Sequence, residues 1–167
     1  GSMGSLVTGL AVTDGPCVSL EGDLIYAPQV LDAVDGTSNR FLVSTPTGAG
    51  DEQYVWAAGA QGGPLHMVDI SKNIRRQTVA PMGEMIGVTE LTGPAVALQV
   101  LPHDPEEHYE PGLVALSREV AIECMLLRDV PWAEIDDERM LARAEHEVWP
   151  RIRAWRERWR EGGSPAA

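Results

Sequence analysis

Hydrophobic and polar positions alternate over short segments through the first hundred residues. Short runs that are apolar or alternate in polarity are separated by glycine, proline and other turn residues. A spacing of about 8 to 12 residues between such runs is typical of an antiparallel sheet or a small barrel. The pattern predicts strands at 6–12, 17–20, 24–27, 40–45, 53–58, 65–70, 76–80, 86–91 and 95–100.

The pattern changes after residue 112. Most positions from 113 to 128 are apolar, which predicts a buried helix. A last amphipathic helix is expected to begin near Asp136 or Asp137 and either to kink at Pro150, which has no N–H to donate, or to restart with Pro150 in its first turn. We therefore expect an α+β fold, in which an antiparallel sheet or partly closed barrel over residues 6–100 precedes these two helices.

One short segment predicts how two of the strands connect. The residues Glu21-Gly22-Asp23 stand between the runs 17–20 and 24–27. A three-residue loop with a central glycine is a common hairpin connection. We therefore expect these two strands to pair with each other.

The length of 167 residues favours a single domain over 6–161, made of a β-rich part (6–100) and a helical part (113–161). Residues 1–5 (GSMGS) are typical of a cloning remnant, and residues 162–167 are expected to fray. No apolar run approaches the roughly 20 residues that span a bilayer, and no secretory pattern is present. The default expectation is a cytoplasmic protein.

The net charge of −12 is unevenly distributed. Residues 104–138 are strongly acidic, whereas residues 139–161 carry more basic than acidic side chains. An acidic chain repels the phosphate backbone of nucleic acids and the surface of anionic membranes. We therefore expect neither a nucleic-acid partner nor a membrane partner.

The last helix carries a narrow apolar seam bordered by arginines. Its interface positions are expected to be Val148, Ile152, Trp155 and Trp159. These residues follow the four-then-three spacing of a packing seam, and arginine stems flank such seams well. The first functional hypothesis is a non-enzymatic binding or assembly protein that forms a homo-oligomer or docks on a protein partner through this helix.

The alternative hypothesis is a small enzyme of the isomerase, cyclase or hydrolase type that needs no cofactor. Its pocket for a small apolar ligand would lie between sheet and helix, lined by Tyr54, Trp56 and Met67. The acid–base groups would be His66, Glu119 and Glu123. In this interpretation Glu119 and Glu123 lie four residues apart on one helix face.

Other potential chemistry is weaker. The segment 103–110 contains imidazoles and carboxylates, and if it bound a metal the ligands would be His103, His108 and Glu110, but their spacing matches no metal-site signature. We therefore predict no metal and no cofactor. Cys124 lies in an apolar run and is expected to be a buried thiol, while Cys17 has no nearby cysteine.

Overall fold

The structure is a computed structural model that describes residues 1–50, 53–102 and 104–160, with the backbone only for residues 159 and 160. The strands are β1 (Cys17–Leu20), β2 (Leu24–Tyr26), β3 (Arg40–Ser44), β4 (Tyr54–Ala58), β5 (His66–Ser71), β6 (Gly83–Leu91), β7 (Glu123–Leu127) and β8 (Trp132–Glu134). The α-helices are α1 (Ser2–Ala11), α2 (Pro94–Val100), α3 (Glu110–Leu116), α4 (Glu138–Arg143) and α5 (Trp149–Arg160).

Five strands close into a barrel-like sheet in the order β3, β7, β5, β4 and β6. Strand β6 pairs with both β3 and β4, which completes the ring, and it also pairs with β1. Most pairings are antiparallel, but β3 and β7 run parallel. Gly87 of β6 has a φ of 75°, a left-handed conformation that glycine adopts without strain.

The sheet is covered on both faces. Neighbouring residues of β3 point to opposite sides, so Phe41 packs in one hydrophobic core and Leu42 in the other. The first core lies against α1, α2 and α3, and the second lies against β8 and α5. Double-sided burial explains why β3 and β6 are apolar along most of their length.

The expected fold class is confirmed, because the chain is α+β with a barrel-like sheet and a C-terminal helix. The sheet is mixed, however, and not purely antiparallel. Within the described residues no helix is both long enough and apolar enough to span a bilayer.

Several predicted elements are wrong. The runs 6–12 and 95–100 belong to helices α1 and α2, and residues 76–80 form no strand. The single helix predicted over 113–128 is a short helix, α3, followed by strand β7. The errors at 6–12 and 95–100 fall on short apolar runs, whose periodicity does not distinguish a strand from a helix.

The predicted hairpin between β1 and β2 is also wrong. Strand β1 pairs with β6, and β2 pairs with β8 in a separate two-stranded ribbon. The glycine-containing segment between them is a crossing from one sheet to the other. This change of partner creates the site described below.

Residues 1–5 are part of the folded chain in this structure. Met3 lies in α1 and is fully buried in the first core. The origin of this segment as a cloning remnant stays a prediction. The expected frayed tail, 162–167, lies outside the described residues.

The terminal helix begins as predicted. Asp137 caps α4 by accepting a hydrogen bond from the Met140 N–H at 2.7 Å. A π-helical turn, Ala144–Val148, then joins α4 to α5, and Pro150 falls in the first turn of α5, where its missing N–H is tolerated.

The seam of the terminal helix packs on its own domain. Val148, Ile152 and Trp155 are buried in the second core together with residues of β6, β7 and β8. The side chain of Trp159 is outside the described part of the chain. The three described seam residues are therefore buried within the chain; oligomerisation itself stays a prediction.

A buried charge network joins the strands of the sheet. Arg40 of β3 lies 3.7 Å from Glu90 of β6 and 3.4 Å from Glu123 of β7, and its guanidinium donates to the Ala33 carbonyl at 2.6 Å. Glu90 is fully buried and also accepts from the backbone N–H of Gly36. Arg40 therefore neutralises a carboxylate that water does not reach.

Replacing Arg40 with methionine should destabilise the chain strongly. The substitution leaves Glu90 buried without its counter-charge, and breaking a buried ion pair from one side costs about 3–5 kcal/mol. The free energy of unfolding from urea denaturation measures the loss. Arg128→Met at an exposed position is the control, with an expected change below about 0.5 kcal/mol. Equal effects of the two variants would contradict a central role for the network.

Candidate functional site

The ribbon of β2 and β8 brings together carboxylates that are distant in sequence. Leu24 is opposite Glu134, and the backbone N–H of Ile135 donates to the Asp23 carbonyl at 2.9 Å. Because the strands are antiparallel, the residue before β2 meets the end of β8. Asp23, Glu134 and Asp136 consequently place carboxylate oxygens within 4.8 Å of one another.

The cluster lies in the wall of a cleft with a volume of about 950 Å³. Helix α1, strand β1, the β2–β8 ribbon and the start of α3 all contribute to its lining. A volume of this order accommodates small metabolites and cofactors. The carboxylates therefore face a space in which a ligand fits.

The charges of the cluster act on one another. Burial raises the pKa of Glu134 from its usual value near 4.5 to about 7, and repulsion from Asp136, Glu21 and Asp23 adds to this effect. Burial also raises the pKa of Glu21, although its hydrogen bond from Tyr109 partly opposes the shift. The concentration of like charge makes the fully ionised cluster unfavourable without a cation.

The composition of the cluster suits a hard divalent cation. Carboxylate oxygens are the ligands that Mg²⁺, Mn²⁺ and Ca²⁺ prefer. Asp23 and Asp136 are exposed and Glu134 is half-buried, so the three groups offer ligand atoms to the cleft while water remains available for further positions. The residues present therefore fit a cation such as Mg²⁺.

A polar wall continues from the cluster along the cleft. The Tyr109 hydroxyl donates to Glu21 at 2.5 Å. The Gln53 amide donates to Glu110 at 3.0 Å. Burial raises the pKa of Tyr109 far above its usual range, with added repulsion from Glu21, so the phenol stays protonated and keeps donating.

Lys72 supplies positive charge to the same cleft. Lys72 follows β5 and lines the cleft, and it is the only lysine in the sequence. Its charge acts on Glu134, whose pKa it lowers slightly against the larger raising effects. A lysine beside a cation site is suited to binding a phosphate.

The predicted acid–base residues do not form a cluster in the cleft. Glu119 is exposed in the turn after α3, and Glu123 is on β7 in an ion pair with Arg40. The prediction that both lie on one helix face is therefore wrong. His66 is opposite Glu123 in the β5–β7 pairing, but none of the three lines the cleft. Their catalytic role stays a prediction.

The predicted pocket residues lie in or near the protein core. Trp56 is buried and donates through its indole N–H to the Val79 carbonyl at 2.9 Å. Met67 is buried in the first core, and Tyr54 is half-buried on β4. The cleft described above does not include these side chains, so they do not form its lining.

The carboxylate cluster does not include the conditional metal ligands His108 and Glu110. His103 lies outside the described residues. His108 is exposed and Glu110 is buried, and both line the cleft. Cys124 is buried in β7 as expected, which raises the pKa of its thiol to about 12, and Cys17 is half-buried.

Sequence reasoning missed Asp23, Glu134 and Asp136. The sequence feature that could have identified them is that each acid is next to a short apolar segment, in EGDLIY and WAEIDD. Asp23 was assigned to a hairpin loop, and Asp136 was considered only as the start of a helix. Their convergence depends on a strand pairing that the local sequence does not specify.

Comparison with known proteins shows similarity at the level of the fold. No protein-family model matches the chain. The inositol-1-phosphate CTP transferase from T. maritima has 16% identity and a TM-score of 0.64, over 89% of this chain and 60% of that one. The UTP-bound UGPase from Acinetobacter baumannii has 12% identity and a TM-score of 0.60, over 93% and 61%.

A third solved structure also shares the fold. The putative glucose-1-phosphate thymidylyltransferase from Bacillus anthracis, solved with sucrose, has 12% identity and a TM-score of 0.57, over 86% of this chain and 57% of that one. At such identities the likeness shows the fold alone. This chain spans about 60% of the length of the structures that it matches.

These neighbours overturn the functional prediction. The three solved structures named above are a CTP transferase, a UGPase and a putative thymidylyltransferase, so a non-enzymatic assembly protein is the wrong expectation. The alternative of an isomerase, cyclase or hydrolase is not matched either. The error arose because the terminal seam was assigned to a partner, whereas it packs inside the domain.

Replacing Glu134 with glutamine should change how stability depends on pH. Folding raises the pKa of Glu134 from near 4.5 to about 7, so between these values the folded chain holds a proton that the unfolded chain releases. Wild-type stability therefore falls as pH rises through this window. Glu134→Gln should lose that component and melt a few degrees higher than wild type at pH 8. Thermal melts from pH 4 to 8 test this, with exposed Glu157→Gln as control; parallel wild-type and Glu134→Gln profiles would contradict it.

Proposed function

We propose that this chain carries the cation site and the acceptor cleft of a metal-dependent nucleotidyltransferase. One observation carries the proposal: Asp23, Glu134 and Asp136 converge in the wall of a large cleft. The fold is shared with a CTP transferase and a thymidylyltransferase, which gives the cluster a chemical context.

Nucleotidyl transfer needs what this cluster offers. An oxygen of a phosphorylated acceptor attacks the α-phosphorus of a nucleoside triphosphate, and pyrophosphate leaves. Both reactants are anions, so a cleft lined by bare carboxylates repels them. A Mg²⁺ ion bound at the cluster would neutralise phosphate charge and align the two reactants.

The residues of the cleft divide into three roles. Asp23 and Asp136, with Glu134 beside them, hold the cation through their carboxylate oxygens. Lys72 binds a phosphate oxygen and adds the positive charge that the carboxylates lack. Tyr109 keeps the Glu21 carboxylate in place through its hydrogen bond and so positions the wall next to the cation site.

The acceptor proposed is a phosphorylated sugar or polyol. The neighbours are named for inositol 1-phosphate and glucose 1-phosphate, and the cleft volume suits a molecule of that size. Because the chain spans about 60% of those structures, the complete reaction is part of the proposal, as is the identity of the nucleotide.

Binding of Mn²⁺ should depend on Asp136 and on pH. Asp136→Asn removes one anionic ligand and should lower the affinity for Mn²⁺ at least about tenfold. Affinity should also rise as pH increases through about 7, because the cation displaces the proton held by Glu134. Calorimetric titration at pH 6 and pH 8 measures both effects.

The neighbouring residue gives a matched control. Asp137→Asn makes the same chemical change one residue later, and asparagine caps α4 as well as aspartate does. This variant should bind Mn²⁺ like the wild type. Equal losses in the two variants, or no Mn²⁺ binding by the wild type, would contradict the cation site.

Pyrophosphate release tests the reaction itself. With Mg²⁺, a nucleoside triphosphate and glucose 1-phosphate or inositol 1-phosphate, release should require the acceptor. Asp136→Asn should lower the rate by at least about a hundredfold, which corresponds to about 2.7 kcal/mol of lost transition-state stabilisation, and Asp137→Asn should not. Suppose that the chain binds Mn²⁺ but releases no pyrophosphate with ATP, CTP, GTP, UTP or dTTP. This result would contradict nucleotidyl transfer by this chain.

A further inference from the structure

We propose that Glu110 is a specificity-determining residue, which accepts a hydrogen bond from a hydroxyl or a protonated amine on the acceptor. The inference deepens the proposed function and rests on it, because it assigns the part of the cleft that reads the acceptor away from its phosphate. The shared chemistry of the two groups is that each donates a hydrogen bond.

The Glu110 carboxylate is buried, and only one of its two oxygens has a described hydrogen-bond partner. Glu110 opens α3, is 8% exposed and lines the cleft. Its Oε1 accepts from the Gln53 amide at 3.0 Å, while its buried Oε2 has no hydrogen-bond partner among the described residues. A buried carboxylate oxygen without a donor is costly, so the native fold retains an acceptor that something else must satisfy.

The cleft wall beside Glu110 has more hydrogen-bond acceptors than free donors. Tyr109 gives its only hydroxyl proton to Glu21, and Gln53 gives an N–H to Glu110. Carboxylates accept and do not donate, so acceptor capacity remains after these bonds are formed. A complementary ligand presents donors. The terminal torsion of a glutamate is soft, which lets Oε2 turn toward a ligand in the cleft.

Negative charge predominates among the ionisable side chains that line the cleft. The cleft is lined by the carboxylates of the cation cluster together with Glu21 and Glu110, against the single lysine Lys72. A divalent cation offsets the cluster and leaves Glu110 on the adjoining wall. A protonated amine there contributes both a donor and a positive charge, whereas a hydroxyl contributes a donor alone. We therefore expect the amine to bind more tightly than the hydroxyl.

Three phosphate esters of similar length provide the test. O-phosphoethanolamine carries an amine, glycerol 1-phosphate carries hydroxyls, and propyl phosphate carries no donor at its other end. Their affinities are measured by calorimetry with saturating Mg²⁺. The wild type should bind the two donor-bearing esters about tenfold or more tighter than propyl phosphate. Of the two, O-phosphoethanolamine should bind more tightly than glycerol 1-phosphate, because its amine adds a positive charge to the donor.

The Glu110→Gln variant inverts the group at constant volume. If its amide oxygen keeps the bond from Gln53, its NH₂ replaces Oε2 and presents a donor where the wild type presents an acceptor. Both donor-bearing esters should lose about tenfold or more in affinity, while propyl phosphate changes by less than about twofold. Glu157→Gln, the same chemical change at an exposed glutamate outside the cleft, should change none of the three.

A second measurement observes Glu110 directly. In protein labelled with ¹³C at the glutamate carboxyl, the Glu110 resonance is the one missing from Glu110→Gln. Ethanolamine or glycerol without phosphate should shift that resonance and leave the exposed glutamates unchanged. This readout does not require phosphate binding or catalysis.

The outcomes separate this inference from the proposed function. Phosphate esters that bind with Mg²⁺ but show no donor preference, with no shift of the Glu110 resonance, would overturn the role of Glu110 and leave the cation site intact. A shifted resonance in a chain that binds neither Mn²⁺ nor any ester would support the donor site and overturn nucleotidyl transfer.

Discussion

The pairing of β2 with β8 is the contact on which the candidate site depends. Each strand has only three residues, and more than a hundred residues separate them in sequence. Their antiparallel register forces Asp23 against Glu134 and Asp136, which opposes folding because like charges meet. Packing of the ribbon offsets this repulsion, since Trp132 and Ala133 of β8 lie in the second core with Ile152 of α5. The terminal helix thus holds in place the ribbon that carries the acids.

The sequence was sufficient to predict the strands with clear alternation or strong β propensity. Strands β3 to β6 were predicted close to their observed bounds, and so was the helix that Asp137 caps. The failures share a physical cause. In α1, α2 and β7 the apolar runs are only a few residues long, so their periodicity does not distinguish a helix from a strand. Strand β7 then pairs parallel to β3, a long-range contact that no local turn signal announces.

The site was harder to predict than the fold because its residues act only in combination. Asp136 and Asp137 are adjacent and chemically identical, yet the second caps a helix and the first joins the carboxylate cluster. Glu123 shows the converse, because a candidate acid became the ion-pair partner of Arg40 once its segment folded as a strand. Residue type limits the chemistry that a position can perform. The pairing of distant strands decides which positions meet, and it is specified by packing over the whole domain.

A bound cation would link the stability of the fold to the chemistry of the cleft. The carboxylates repel one another and also repel phosphates, so one cation relieves both interactions. A ligand that binds only the folded chain stabilises it in proportion to its affinity, and here the affinity includes release of the Glu134 proton. Stabilisation by the cation is consequently greatest at the pH where the empty cluster is least stable. The same charge arrangement that weakens the cation-free fold would therefore make the cleft selective for phosphates presented together with a metal ion.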